Sequence, residues 1–234
     1  MELRAVALVA CAWACSGSKT KIEDAKPVVH PSDAAVVHAP DAAPPAPGAK
    51  GDASIRVEWH DVPLDARTPG PCGPAISPTT TWGIPDVVVT IDAPGTAPAR
   101  TARVVLDTCL RPPVQVATSS VVVASGASQP AKLTMSHDGA AAVPIELPIA
   151  GHEVQVALQP GRYELTAGAP RAWVVAAPTP WIAVTEASGV AILRDVPTGT
   201  WPVSAWSPTS GRTAKGEIAV TAGQLAEVTL QLQP

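Results

Sequence analysis

Short apolar or alternating runs recur from Ser54 to the C-terminal end of the chain, and they stop at Gly, Pro or Asp. In the run Ser54–His60, for example, Ile55, Val57 and Trp59 alternate with polar residues. A period of two places successive side chains on opposite faces, as in a half-buried β-strand. Because no helical period separates the runs, they predict an all-β fold of Greek-key β-sandwiches rather than a parallel α/β sheet.

The same pattern predicts fifteen strands, and the composition agrees with short strands joined by turns. The hydrophobic content of 46% is mostly Val, Ala, Leu and Ile, and it is interrupted by 27 Pro and 17 Gly. The predicted strands are residues 54–60, 86–92, 102–107, 114–118, 121–125, 132–136, 143–147, 153–158, 162–166, 172–176, 181–185, 190–194, 202–206, 217–221 and 227–232.

Charge excludes one large class of partner. The 234 residues carry a net charge of −4, only 15% are charged, and no cluster of Lys or Arg exceeds a pair of neighbours. Nucleic-acid binding needs a basic surface and usually stacking aromatic residues. We therefore expect no nucleic-acid partner.

The N-terminus, MELRAVALVACAWAC, has the features of an export signal. An Arg precedes a short apolar stretch that is too short to span a bilayer, and small residues precede a cysteine. Residues 12–15 resemble the site at which lipoproteins are cleaved and lipidated. We predict a signal peptide over residues 1–15 with lipid attachment at Cys15, and Cys11 as the alternative. Such a protein is held on a membrane of the cell envelope, facing the periplasm or at the outer membrane.

Residues 16–53 form a low-complexity segment rich in Ala, Pro, Asp and Lys. Too few apolar residues recur periodically to offset the entropy of ordering, so the segment is predicted to be a disordered linker. Its prolines favour extended conformations, which suit a spacer between the membrane and the body of the protein. His30 and His38 are expected to be solvated in it.

Two cysteines, Cys72 and Cys109, lie outside the N-terminal segment. In an oxidising compartment they are expected to form a disulfide, and the alternative is a pair of inert buried thiols. A metal site is the weaker interpretation, because the paired CxxC spacing is missing.

The stretch Ala172–Pro208 resembles periplasmic proteins in which a cupredoxin-like sandwich precedes a carboxypeptidase-regulatory, transthyretin-like sandwich. The corner Asp195–Thr200 (DVPTGT) and Trp206 carry this resemblance, and the turn Pro160–Tyr163 (PGRY) is similar to a cupredoxin turn. The resemblance implies a cupredoxin-like sandwich over 54–172 and a transthyretin-like sandwich over 173–234. Cys72 and Cys109 also fall where such proteins tend to place cysteines.

The resemblance raises the question of copper, which needs two imidazoles and a thiolate. In the family a Cys, a His and often a Met occupy the loop that is here Thr166–Arg171, and none of them is present. We therefore predict no cofactor and no metal site. The alternative is a copper-binding or electron-transfer protein with replacement ligands, for which Cys109, Met135 and His137 are the candidates. His152, at a glycine turn, is expected to be solvated.

Catalytic motifs are weak. Ser136, His137 and Asp138 are adjacent, but catalytic triads are built from separate segments, and neighbouring side chains in a strand point apart. His60 and Asp61 resemble half of an acid–base pair without a second half. A hydrolase is kept only as a third hypothesis, and we predict no enzyme.

Four tryptophans near the C-terminal end allow two interpretations. They pack in a core, or they form a platform that binds a sugar or a peptide, because indole combines an apolar face with a polar N–H. The leading hypothesis is a membrane-anchored envelope lipoprotein that acts as a non-catalytic binding or structural module, with an envelope protein or polysaccharide as its partner. The tryptophans are Trp173, Trp181, Trp201 and Trp206.

Overall fold

The computed structural model describes residues 48–63, Cys72 and residues 82–233, and the regular structure there consists entirely of β-strands. An all-β sandwich fold is therefore confirmed. The predicted signal peptide with Cys11 and Cys15 lies outside the described residues, as does most of the predicted linker with His30 and His38. Within the described part, no helix is long and apolar enough to cross a membrane.

Sixteen strands are present in the described residues, and each of the fifteen predicted runs overlaps one of them. The strand that the sequence pattern missed is β4, which is only two residues long. The strands are β1 (Lys50–Glu58), β2 (Val88–Ile91), β3 (Thr101–Leu106), β4 (Leu110–Arg111), β5 (Val114–Ala117), β6 (Ser120–Ser125), β7 (Ala131–His137), β8 (Val143–Leu147), β9 (Glu153–Ala157), β10 (Gly161–Thr166), β11 (Arg171–Ala176), β12 (Ile182–Val184), β13 (Val190–Pro197), β14 (Gly199–Trp206), β15 (Thr213–Val220) and β16 (Leu225–Gln231).

Strands β1, β2 and β12 to β16 form what we call the discontinuous sandwich. One sheet has the order β13-β1-β16, in which β1 is antiparallel to β13 and parallel to β16. The other sheet has the order β12-β2-β14-β15 and is antiparallel. Their inward side chains share one hydrophobic core, in which Ile55 and Ile91 are fully buried.

Strands β3 to β11 form the continuous sandwich, so called because all nine strands come from one stretch of chain. A five-stranded sheet of order β5-β11-β10-β7-β8 packs against a four-stranded sheet of order β4-β3-β6-β9. The pairs β5 with β11 and β3 with β6 are parallel. Val104, Leu147 and Leu165 are fully buried in the core between the sheets.

The two sandwiches do not follow one another along the chain with a boundary between residues 172 and 173, as was predicted. Strands β1 and β2 precede the continuous sandwich, but they pair with strands that follow it. The continuous sandwich is therefore inserted between β2 and β12. An alternating pattern shows which residues face a core, but not which strand is the partner. Strand β1 also begins at Lys50, inside the predicted linker 16–53.

A third hydrophobic cluster, which we call the junction, lies where the two sandwiches meet. Val114 and Val116 of β5 pack there with Val88 of β2 and Ile182 of β12. Trp206, at the end of β14, is partly buried against the same cluster. The junction therefore fixes the outer face of one sandwich against the outer face of the other.

Cys72 and Cys109 form a disulfide, with their Cα atoms 5.2 Å apart, so the predicted pairing is confirmed. Cys72 belongs to the connection between β1 and β2, whereas Cys109 lies between β3 and β4. The bond therefore links the discontinuous sandwich to the continuous sandwich, in addition to the two points where the chain passes between them.

Candidate functional site

A cleft of about 330 Å³ lies next to the junction and receives side chains from both sandwiches. The continuous sandwich contributes a row of residues across three neighbouring strands, in which Glu164 of β10 stands opposite Ser136 of β7 and Trp173 of β11. Trp206 of β14 comes from the discontinuous sandwich. The alternation of the strands explains the row, because Leu165 beside Glu164 is fully buried in the core.

Two indole rings meet in this cleft. The rings of Trp173 and Trp206 have centroids 5.4 Å apart and planes at 88°, so one ring presents its edge to the other. The guanidinium of Arg162 lies 4.2 Å from the centroid of the Trp206 ring. Edge-to-face packing and a cation over a ring are both favourable arrangements of the aromatic quadrupole. Together they hold the indole rings in a fixed corner at the surface.

Charged groups of both signs surround the indoles. A carboxylate oxygen of Glu164 lies 3.1 Å from the guanidinium of Arg171. Asp138 accepts a hydrogen bond of 2.9 Å from the backbone N–H of Arg162 through Oδ1, and its Oδ2 lies 3.2 Å from Nε2 of His137. The lining of the cleft therefore holds two acidic side chains, Asp138 and Glu164, and one basic side chain, Arg162, and Arg171 pairs with Glu164 from outside the lining.

The turn between β9 and β10 positions Arg162 on the outer face. Tyr163 is buried beside it, donates its hydroxyl to the Gln159 carbonyl at 3.0 Å and accepts the Gln159 N–H at 2.8 Å. Gly161 has φ +147°, and a Cβ there would overlap the side chain of His137. The PGRY turn therefore needs its glycine because a neighbouring side chain occupies the space.

The four tryptophans that the sequence singled out divide into two pairs. Trp173 and Trp206 line the cleft. Trp181 and Trp201 instead pack against the core of the discontinuous sandwich. Trp201 donates its indole N–H to the Pro197 carbonyl at 2.8 Å, so Trp201 rather than Trp206 packs on the DVPTGT corner.

The alternative copper ligands do not assemble into a site. Met135 is buried in the core of the continuous sandwich, and His137 stacks on the ring of Tyr163 at 4.4 Å. Cys109 is bonded to Cys72, so it offers no thiolate. Within residues 48–63, 72 and 82–233, no three His, Cys, Asp or Glu side chains are grouped to hold a metal ion. His152 lies in the turn before β9, partly exposed.

The adjacent Ser136, His137 and Asp138 do not form a triad. Ser136 lines the cleft, whereas His137 stacks on the buried Tyr163. The sequence did not single out Arg162 or Glu164 as cleft residues. Their two-residue spacing on β10 placed them on one face, but nothing local indicated that another sandwich would cover that face.

His60 has a partner that the sequence analysis missed. Its Nε2 lies 3.0 Å from Oε2 of Glu58, which also accepts a hydrogen bond of 2.7 Å from Gln231. Oε1 of Glu58 accepts a bond of 2.6 Å from Arg56, and this bond is the main cause that lowers the pKa of Glu58, against the opposing effect of burial. We call these four residues the Glu58 cluster. Residues i and i+2 share a strand face, which is the signal that pairs Glu58 with His60.

No protein-family model matches this sequence, and no curated protein is significantly similar to it. The chemistry of the cleft therefore has to be inferred from its own residues.

Proposed function

We propose that this chain is a membrane-anchored lipoprotein of the cell envelope whose β body is a non-catalytic binding module. The observation that carries this proposal is the cleft between the sandwiches. It combines two indole rings with a few convergent polar groups, as ligand sites in proteins commonly do. Ser136 lines it, but the neighbouring His137 stacks on Tyr163, so the lining residues lack a nucleophile paired with a base.

Three features support anchoring in the envelope. The N-terminus has a short apolar leader that ends at Cys15, and a Pro-rich and Ala-rich segment separates Cys15 from the sandwiches. The disulfide between Cys72 and Cys109 suits an oxidising compartment outside the cytoplasm. A lipid on Cys15 would place the cleft at some distance from the membrane surface.

We also propose that the continuous sandwich is a degenerate cupredoxin-like domain and that the discontinuous sandwich is transthyretin-like. The PGRY turn of β10 and the DVPTGT corner before β14 support these assignments. The alternative, a copper protein with replacement ligands, has less support because its only thiolate candidate is in the disulfide.

Anchoring is tested with a matched pair of substitutions in cells that produce the full chain. Cys15→Ser is expected to release the protein from the detergent phase in phase partition, whereas Cys11→Ser leaves it there. Mass spectrometry of the wild-type N-terminus should show a lipid-modified cysteine at residue 15. An unmodified Met1 on the mature protein would refute the anchor.

The cleft is tested by photo-crosslinking in the same cells. A photo-reactive amino acid at position 136 is expected to crosslink to an envelope component. The matched control is position 149, where Ile149 is exposed and is not among the residues that line the cleft. Equal crosslinking from both positions would contradict a binding role for the cleft.

A further inference from the structure

The apolar surface of the cleft is a corner rather than a slot. Trp173 and Trp206 stand perpendicular to each other, and Arg162 lies against the Trp206 ring. A corner of this kind suits a small, rigid ligand with an apolar face and a polar rim, because indole offers an extended apolar surface at little cost in conformational entropy. A pyranose ring has this shape: C–H groups form its faces and hydroxyls surround its edge.

The polar groups of the cleft favour a neutral ligand. Asp138 and Glu164 line the cleft together with Arg162, and Glu164 is paired at 3.1 Å with Arg171, which lies outside the lining. One carboxylate is therefore balanced by a guanidinium within the cleft and the other by a guanidinium beside it, which leaves no excess charge to select an ion. A sugar hydroxyl both donates and accepts hydrogen bonds. Carboxylates accept from such groups, guanidinium groups donate to them, and the hydroxyl of Ser136 does both.

The backbone around the cleft disfavours an extended peptide. Strands β7, β10 and β11 are all interior strands of their sheet, and β14 is interior in the other sheet. Their backbone groups are already paired with neighbouring strands. A peptide that binds by adding a strand needs a free sheet edge, and the strands that line the cleft do not offer one.

From these observations we propose that the cleft binds a neutral saccharide, which stacks on the indole corner and hydrogen-bonds to Ser136, Asp138, Glu164 and Arg162. This inference rests on the proposed function, because it names the class of ligand for the same cleft.

The test uses the full chain with its tryptophan indoles labelled for NMR. The probes are neutral tetrasaccharides of glucose, mannose and N-acetylglucosamine at millimolar concentration. At least one is expected to shift the indole N–H signals of Trp173 and Trp206. The signal of Trp201 should stay unchanged, because its N–H donates a hydrogen bond to the Pro197 carbonyl in the DVPTGT turn, away from the cleft residues.

Two substitutions on β7 provide the matched comparison. Ser136→Leu fills the cleft and removes a hydroxyl, so it should weaken saccharide binding about tenfold or more. Thr134 lies two residues away on the same outer face and does not line the cleft. Thr134→Leu should therefore leave the saccharide affinity within about twofold of that of the wild type. Both positions are outside the core, so we expect the fold to stay intact in either variant.

The outcomes separate this inference from the proposed function. If none of the saccharides shifts the two indole signals but a mixture of short peptides does, the inference of a saccharide ligand is wrong and the cleft remains a binding site. If neither kind of probe shifts them, both proposals fail. Equal weakening by Ser136→Leu and Thr134→Leu would also overturn the saccharide inference.

Discussion

The two sandwiches are assembled differently by the chain. Every strand of the continuous sandwich lies between residues 101 and 176, whereas β1 of the discontinuous sandwich pairs with β16, and Glu58 bonds to Gln231 across 173 residues. Such long-range pairing is opposed by the entropy of loop closure, which is lost before the stabilising contacts form. The strands of the continuous sandwich therefore find all their partners within one stretch of sequence, whereas the three-stranded sheet of the discontinuous sandwich depends on β1.

The largest expected effect comes from a charge placed in β1. Ile55 is fully buried in the strand that separates β13 from β16, so Ile55→Asp should cost more than about 4 kcal/mol, through an unpaired buried carboxylate and lost apolar contact. Hydrogen exchange should show that β13 and β16 lose protection while β7, β10 and β11 keep theirs.

The control for this substitution is on the neighbouring strand. Ile192 of β13 pairs with Ser54 and is 54% exposed, so Ile192→Asp should change stability by less than about 0.5 kcal/mol. Simultaneous loss of protection in both sandwiches after Ile55→Asp would contradict their independence, because it would show that they unfold as one cooperative unit.

The second effect concerns the covalent link between the sandwiches. Replacing both Cys72 and Cys109 by Ser removes a crosslink between residues 37 apart, which should lower the free energy of unfolding by about 3–4 kcal/mol. Urea unfolding measures the loss. An unchanged urea midpoint would show that the disulfide adds nothing to the stability of the protein.

A third prediction uses a feature that the sandwiches share. In each, an aromatic side chain donates a hydrogen bond to the carbonyl four residues earlier, from Tyr163 to Gln159 and from Trp201 to Pro197. Tyr163→Phe removes only the hydroxyl, so we expect a loss of about 1–2 kcal/mol that is confined to the continuous sandwich. Trp201→Phe should instead destabilise the discontinuous sandwich. Thermal unfolding measures each loss of stability, and hydrogen exchange shows which strands lose protection. If both variants lost protection in the same strands, the assignment of each hydrogen bond to one sandwich would be contradicted.

Features that depend on local pattern could be predicted from the sequence, whereas features that depend on long-range pairing could not. Apolar and alternating runs located every strand of more than two residues in the described part of the chain, because burial depends on local pattern. It did not reveal that β1 belongs with β13 and β16, because pairing partners leave no local mark. For the same reason Trp173 and Trp206 were singled out by type, but their meeting across the junction was not foreseen.

The smallest expected effect is a pH dependence in the Glu58 cluster. Arg56, His60 and Gln231 bind the Glu58 carboxylate, whose side chain is only 16% exposed, and the pKa of Glu58 is lowered, first by its hydrogen bond to Arg56. Its stabilising contribution is therefore complete above the ordinary carboxyl pKa and is lost as the pH falls through the lower pKa of the folded state. Glu58→Gln should cost about 1 kcal/mol at neutral pH, and the difference from wild type should shrink in acid.

The matched control for Glu58 lies in the continuous sandwich, where Glu153 bonds to Arg103 and its pKa is also lowered, first by that bond. The Glu153 side chain is 49% exposed, so solvent screens the pair and Glu153→Gln should leave the unfolding midpoint unchanged at every pH. Urea titrations of both variants between neutral and acid pH make the measurement. A larger pH dependence for Glu153→Gln than for Glu58→Gln would show that the surface pair, not the Glu58 cluster, contributes electrostatic stability to the fold. The dependence of the discontinuous sandwich on β1 would then rest on apolar packing alone.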